Sequence, residues 1–410
     1  MNREKAARFV FTGAFICITI GLLYSRFMIS LGMLMFLLSA LLNDKTFKLL
    51  RTFVQNKHYM ALTLVFFIFL LSGLWSENTE YFLNRTRIKL PFLFLPYAFY
   101  AAPRLNKTQA YQLMLGFIAV VTASVLWSLF SFSLDLDHYI AIYGKGQILP
   151  TPIHHIRYSI LVSVAVLFGI YMVHKNAFAQ SKKIKITLVS TILFLIAYQH
   201  VLAVRSGLMT LYVVFFTVLA LWVFKKQHLK KAVLAFTALI VLSALAVNYI
   251  PTIKNKIGYM KYSLEKFRDK DNIRDLSDSR RLGSIYAGLE LIQEHPLLGV
   301  GIGDIMDETD SWLEKNYPQL TGLELLPHNQ YILTGASCGL LLMLIFIGCS
   351  VYPLFYCGGG KDLLSLGTHL MFASSFMVEH TIESQIGVAA YIFIVLFVMK
   401  CMESNSTAHE

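Results

Sequence analysis

His295-Pro296-Leu297-Leu298-Gly299-Val300-Gly301-Ile302-Gly303 lies inside the one long break in an otherwise apolar chain. The break is mostly polar, runs from Pro251 to about Leu326 and is closed by Pro327-His328-Asn329. Nine apolar runs precede it and three follow. The boundary where this single large extramembrane segment meets the bilayer is therefore the place to look for chemistry.

Outward from this stretch, composition sets the class. Of 410 residues 56% are hydrophobic and only 15% charged, and mean hydropathy is +0.59, far from ordinary soluble usage. A helix needs about 20 apolar residues to cross the hydrocarbon. Such runs centre on Phe9–Tyr24, Phe27–Leu42, Tyr59–Leu74, Ile88–Ala102, Tyr111–Leu134, Ile156–Val173, Ile186–Val204, Ser206–Phe224 and Ala232–Ile250, then Asn329–Tyr356, Leu363–Val378 and Gln385–Cys401. The reading is an all-α polytopic membrane protein of about twelve spans, eleven to thirteen because the first two runs are short and close together. Residues 1–250 hold nine spans, 251–328 form the loop domain, and 329–410 hold three spans and a short tail. Barrel strands alternate polar and apolar residues and these runs do not. The first run follows Arg3, Lys5 and Arg8 without a small-residue cleavage site, so it reads as a retained span and not a signal peptide.

Lysine and arginine placement orients the chain. Arg3/Lys5/Arg8, Lys45/Lys48/Arg51/Lys57, Arg104/Lys107, Lys175/Lys182/Lys183/Lys185, Lys225/Lys226/Lys230/Lys231, Lys361 and Lys400 all fall on one side, expected to be cytoplasmic with both termini. The net charge of +12 thus reflects topology and not nucleic-acid binding. The long loop falls outside. The outer cations are then the exceptions: Arg85, Arg87, Lys89, Arg157, Arg205, Arg280 and Arg281. Snorkelling to lipid phosphates suits Arg85 and Lys89. Arg205 has apolar sequence on both sides, where a guanidinium is costly unless it faces a cavity or a partner. Several arginines at one bilayer face would receive a phosphate or diphosphate head group.

The five cysteines lie in or beside apolar runs without Cys-x-x-Cys spacing, so neither a disulfide framework nor a zinc site is indicated. No glycine pattern for nucleotides occurs. Within the loop, Ser277-Asp278-Ser279 is a helix cap signal, and Leu282, Ile285, Tyr286, Leu289 and Ile292 recur at helical spacing up to Pro296. Arg280 and Arg281 stand at that helix's first turn, where amides and dipole also favour an anion. Residues 251–281 carry an excess of cations and 282–326 an excess of acids. His328 opens the next apolar helix. It reads either as a polar residue at a helix start or as a base that accepts a hydroxyl proton near neutral pH. Glu324 is its nearest carboxylate competitor, with Glu379 and Glu383 more distant.

Arg281-Leu282, then Glu290-Leu291-Ile292-Gln293-Glu294-His295-Pro296-Leu297-Leu298-Gly299-Val300-Gly301, then His328-Asn329-Gln330-Tyr331-Ile332 resembles the bacterial O-antigen ligase/polymerase family, as does Arg205-Ser206-Gly207 after the seventh span. The chain departs from it at Ile285, where the family usually has tryptophan, and Arg280 makes the loop arginine ambiguous by one position. The resemblance implies a GT-C-like glycosyltransferase of the bacterial inner membrane with a periplasmic site. It would move a glycan from undecaprenyl diphosphate to a lipid A–core hydroxyl, inverting the anomeric centre without a metal or other cofactor. His328, Arg205 and Arg281 would be catalytic, with Arg280, Arg157, His155, Asn329 and Arg87 binding substrate. Polymerase and protein-glycosylation activities of the same family stay open, as does a transporter or lipid-linked glycan flippase. Asp135-Leu136-Asp137 is the one weak pointer to a metal instead.

Overall fold

The computed structural model describes residues 3–43, 46–135, 149–177, 181–224 and 251–406, with 139, 230, 233, 234, 237 and 241. Most of the ninth run, Ala232–Ile250, and Asp137 of the Asp-x-Asp pair lie outside the described residues. Among those described, every element is helical: α1 Arg3–Tyr24, α2 Arg26–Leu41, α3 Thr46–Gln55, α4 Lys57–Leu71, α5 Thr79–Ala101, α6 Lys107–Leu134, α7 His155–His174, α8 Lys182–Leu202 and α9 Arg205–Phe224. The loop segment contributes α10 Pro251–Asp269, α11 Ser277–Glu294 and α12 Ile305–Asn316, and the chain closes with α13 Gln330–Cys338, α14 Leu340–Val351, α15 Leu363–Val378 and α16 Gln385–Ser406.

Among the described residues, eight helices are long and apolar enough to cross a membrane, and α2 and α15 are shorter apolar ones. α5 runs with them but carries Glu80, Arg85, Arg87 and Lys89. The core lies along α16 and α7, buried over 89% and 83% of their spanning windows. Phe27, Leu64, Phe130 and Leu193 face outward instead, as expected where the surrounding solvent is lipid. This is a multi-pass membrane protein.

Helix starts are fixed locally: Ser25, Asn56, Asn106, Ser181, Asn329 and Asp362 each accept backbone N–H groups of the helix that follows. Contacts between helix ends then define two faces. At one, Tyr59 donates to Glu403, and Lys175 pairs with Asp362 at 3.1 Å. At the other, Arg85 reaches the Glu383 carbonyl and Asn78 the Asp307 carboxylate. The loop helices sit on this second face, around a small core of Phe267, Ile273, Leu313 and Leu320.

The glycine-rich motif has a structural role here. Val300 and Gly301 donate backbone N–H groups to Ala336 and Ser337, and Leu340 donates to Pro296. Gly299 holds φ +67, and a Cβ there would stand 2.5 Å from the Ala336 carbonyl oxygen. Only glycine lets the backbones meet this closely. Asp304 accepts from the N–H groups of Glu77 and Asn78, which fastens the loop to the start of α5.

Three readings change. The tenth span is not continuous, because α13 ends at Gly339 and α14 begins at Leu340. Arg85 and Lys89 do not snorkel. Lys89 is fully buried on Glu383 at 2.7 Å, and Arg85 is held by the Glu383 carbonyl and stacked over the Tyr81 ring. An ion pair and a backbone acceptor outcompete lipid once α5 begins at Thr79, about two to three turns before these cations. The loop helix covers its expected range, but its buried face is Gly283, Ser284, Ala287, Gly288 and Leu291, while Tyr286 and Leu289 are exposed. Close packing selects small residues over the apolar stripe, with Gly288 against the start of α13 and Gly283 against Leu313 and Leu320.

Candidate active site

Gly288 explains how the site is assembled. A Cβ there would meet Ile332 at 2.7 Å and Pro327 at 2.9 Å, so its absence lets α11 lie directly on the start of α13. One turn earlier on α11, Ser284 thereby reaches His328. The Ser284 hydroxyl donates to the Arg281 carbonyl at 2.9 Å and lies 3.1 Å from His328 Nδ1. A hydroxyl has one proton, so with that proton on Arg281 it accepts from Nδ1–H. In that tautomer the opposite nitrogen, Nε2, is the proton acceptor.

His328 faces His380 edge-on, with ring centroids 4.9 Å apart. His380 belongs to the turn between α15 and α16, and its neighbour Glu379 accepts from Arg281 at 2.7 Å. Asn329 joins these pieces, capping α13 through its side-chain oxygen and donating its amide to the Met377 carbonyl at 2.9 Å. Beneath the turn, Glu383 accepts from buried Lys89 and from the Gln330 side-chain amide at 3.1 Å, while the Ile382 N–H donates to Gln330 Oε1.

The electrostatics are those of an anion site. Burial first, then the nearby His380 and the Arg281 charge, push the His328 imidazole down to about 3, partly offset by a backbone hydrogen bond at Leu326. Burial and the charges of Arg157, Arg85, Arg281 and His154 take His380 down to about 3 as well. Both rings are neutral at ordinary pH. The Glu379 carboxyl is raised by burial, against the opposing pull of Arg281 and Arg157. Three buried polar atoms here have no hydrogen-bond partner: Arg157 Nε, Arg85 Nε and His380 Nδ1. Buried donors are rarely left so.

Of the sequence-derived residues, the fold brings together His328, Arg281 and Arg157, with Asn329 bracing them. His155 stacks on His154 at 4.3 Å beside them, at the start of α7. Arg205 forks onto Asp278, with NH1 donating to Oδ2 at 3.0 Å and NH2 to Oδ1. Asp278 is one turn before Arg281 on α11, so this pair docks α9 to the helix that carries Arg281. Arg280 points away, onto the Arg274 carbonyl and Asp275. Arg87 is exposed and donates to Asn84. Glu379 and His380 join the site although sequence reasoning placed Glu379 only as a distant competitor and did not single out His380. Their signal was a Glu-His pair in a very short connection at the bilayer boundary.

Donor atoms of His328, Glu379 and His380 lie within 4.8 Å of one another, a set able to hold a divalent ion. Arg281 already holds the carboxylate, and three guanidiniums surround the imidazoles, which weighs against a cation on electrostatic grounds.

Residues 190–347 match the family model described as O-Antigen ligase, a span that contains Arg205, Arg281 and His328. No curated protein matches the chain.

Proposed function

We propose, from the match of residues 190–347 to the O-antigen ligase family model, that this membrane protein is an enzyme that transfers a glycan from undecaprenyl diphosphate to a lipid A–core hydroxyl, with the loop-bearing face in the periplasm of the inner membrane. The observation that carries this reading is the convergence of Arg281, Arg157 and Arg85, with unpartnered buried donors, beside the neutral imidazole of His328. A lipid-linked diphosphate supplies the anion such a cluster lacks.

His328 Nε2 takes the proton of the acceptor hydroxyl while the oxygen attacks the anomeric carbon. The bond from that carbon to the diphosphate oxygen breaks on the opposite side, so configuration inverts. The leaving diphosphate's charge falls on Arg281, Arg157 and Arg85. Its arrival displaces Glu379 from Arg281, freeing the carboxylate to face the His328 imidazolium formed in the step. Arg205 acts through Asp278, holding α11 and hence Arg281 in place. Clustering of these groups at one face, instead of mid-bilayer as in transporters, favours transfer over transport.

The test is incubation of the purified protein with undecaprenyl-diphosphate glycan and lipid A–core in the presence of EDTA. Glycosylated lipid A–core should form. No product under EDTA, with restoration by Mg²⁺, would replace this mechanism by a metal-dependent one. Product only on a second lipid-linked glycan would identify a polymerase.

A further inference from the structure

Leu297 is 81% exposed and Leu298 57%, although both belong to the segment that composition places outside the membrane. The turn that carries them is fastened on two sides. Pro296 accepts from the Leu340 N–H at 2.9 Å, and Val300 and Gly301 donate to Ala336 and Ser337 at 2.8 and 2.9 Å. A Cβ on Gly339 would collide with the Leu297 carbonyl, so the turn lies directly on the junction of α13 and α14. On the other side the Gly303 N–H donates to Ser76 Oγ at 3.0 Å, just past the end of α4. Leu297 and Leu298 are thereby fixed where two candidate membrane-crossing segments, Lys57–Trp75 and Leu340–Lys361, reach the loop-bearing face.

Their depth follows from the length of the second segment. It holds 22 residues and ends in Gly358-Gly359-Gly360-Lys361, whereas crossing the hydrocarbon takes about 20 apolar residues. No length is spare to raise Leu340 above the bilayer. This segment also faces outward from its first turn: 22% of its spanning window is buried, and Leu341 and Leu344 are 66% and 61% exposed. Adjacent leucines as exposed as Leu297 and Leu298 mark an interaction surface, and continuity with the lipid-facing leucines of α14 names the partner. We propose that Leu297 and Leu298 insert into the leaflet on the loop-bearing face and contact phospholipid acyl chains, which makes this turn an interfacial anchor of the loop domain. The leucine side chains enter the hydrocarbon. The turn's backbone stays at head-group level, with Pro296, Val300 and Gly301 already bonded to protein. The anchor is independent of the chemistry at His328.

The experiment places the photo-crosslinker p-benzoylphenylalanine (Bpa) in the full chain by codon suppression. The protein is held in nanodiscs of phosphatidylethanolamine and phosphatidylglycerol, free of isoprenoid lipid. Leu297→Bpa and Leu298→Bpa are compared with Leu344→Bpa on the lipid-facing side of α14 and with Glu314→Bpa, exposed on α12. All four positions are exposed, so the variants should unfold at the wild-type temperature. After irradiation, intact-protein mass spectrometry should show phospholipid adducts at Leu297 and Leu298 in yields comparable to Leu344, and none at Glu314. Adducts at Leu344 but at neither leucine of the turn would overturn the proposal by leaving both in water. A cross-link from Leu297→Bpa to a second copy of the chain would overturn it as well, because this face would then be a contact between copies.

Discussion

Replacing Lys89 with methionine would leave the Glu383 carboxylate, whose side chain is 1% exposed, with Gln330 as its remaining side-chain donor. Lys89 itself is 0% exposed, sits 2.7 Å from that carboxylate and lies over the Phe69 ring at 4.4 Å. Solvent therefore cannot screen the loss. Breaking such a buried pair costs about 3–5 kcal/mol, much of it from the charge left without a partner. Methionine keeps most of the apolar stem, so little of the effect is a cavity. Lys89→Met/Glu383→Gln removes both charges and should recover at least about 2 kcal/mol of the loss, the signature of direct coupling. Unfolding of the purified variants in one detergent, followed by tryptophan fluorescence, measures all corners of the cycle. The same turn carries Glu379 and His380, so Lys89→Met should also lower transfer at a temperature where it remains folded. A single variant within about 1 kcal/mol of wild type, or a double variant no better than the singles, would refute this reasoning.

Arg281→Ala should abolish transfer and Arg281→Lys restore it only in part, since a point charge cannot replace the fork; Arg280→Ala should stay near wild type, as its group faces Arg274 and Asp275. Asp278→Ala should reproduce the kinetic defect of Arg205→Ala if the pair acts by docking α11, whereas an intact Asp278→Ala enzyme would return Arg205 to the diphosphate. Protonation of His328 removes the base, and its imidazole lies at about 3 before substrate binds. The acid limb of kcat/KM should therefore fall well below the usual histidine range, and a loss centred near 6.5 would contradict that environment.

The membrane class and helix 277–294 were legible because hydrophobic length and periodicity are local properties. His328 and Arg281 were legible because short motifs keep them in register. What stayed hidden depends on contacts between distant residues. Lys89 and Glu383 are 294 positions apart, and nothing near Lys89 in sequence distinguishes a buried ion pair from a snorkelling lysine. His380 becomes a site residue only because α15 ends beside the start of α13, through Asn329 and Met377. Gly299 and Gly301 drew attention as a motif, yet their chemistry is close backbone contact, and their end of α13 is the one opposite His328. The buried face of α11 was misread because periodicity marks large apolar residues, whereas tight helix packing selects Gly283, Ser284 and Gly288.

The most direct measurement is single-turnover transfer by His328→Ala, with EDTA present and donor binding followed in parallel. Turnover should fall about 10²–10⁴-fold, while the lipid-linked donor still binds through the arginines. Wild-type turnover in His328→Ala would contradict the assignment of this histidine as the base.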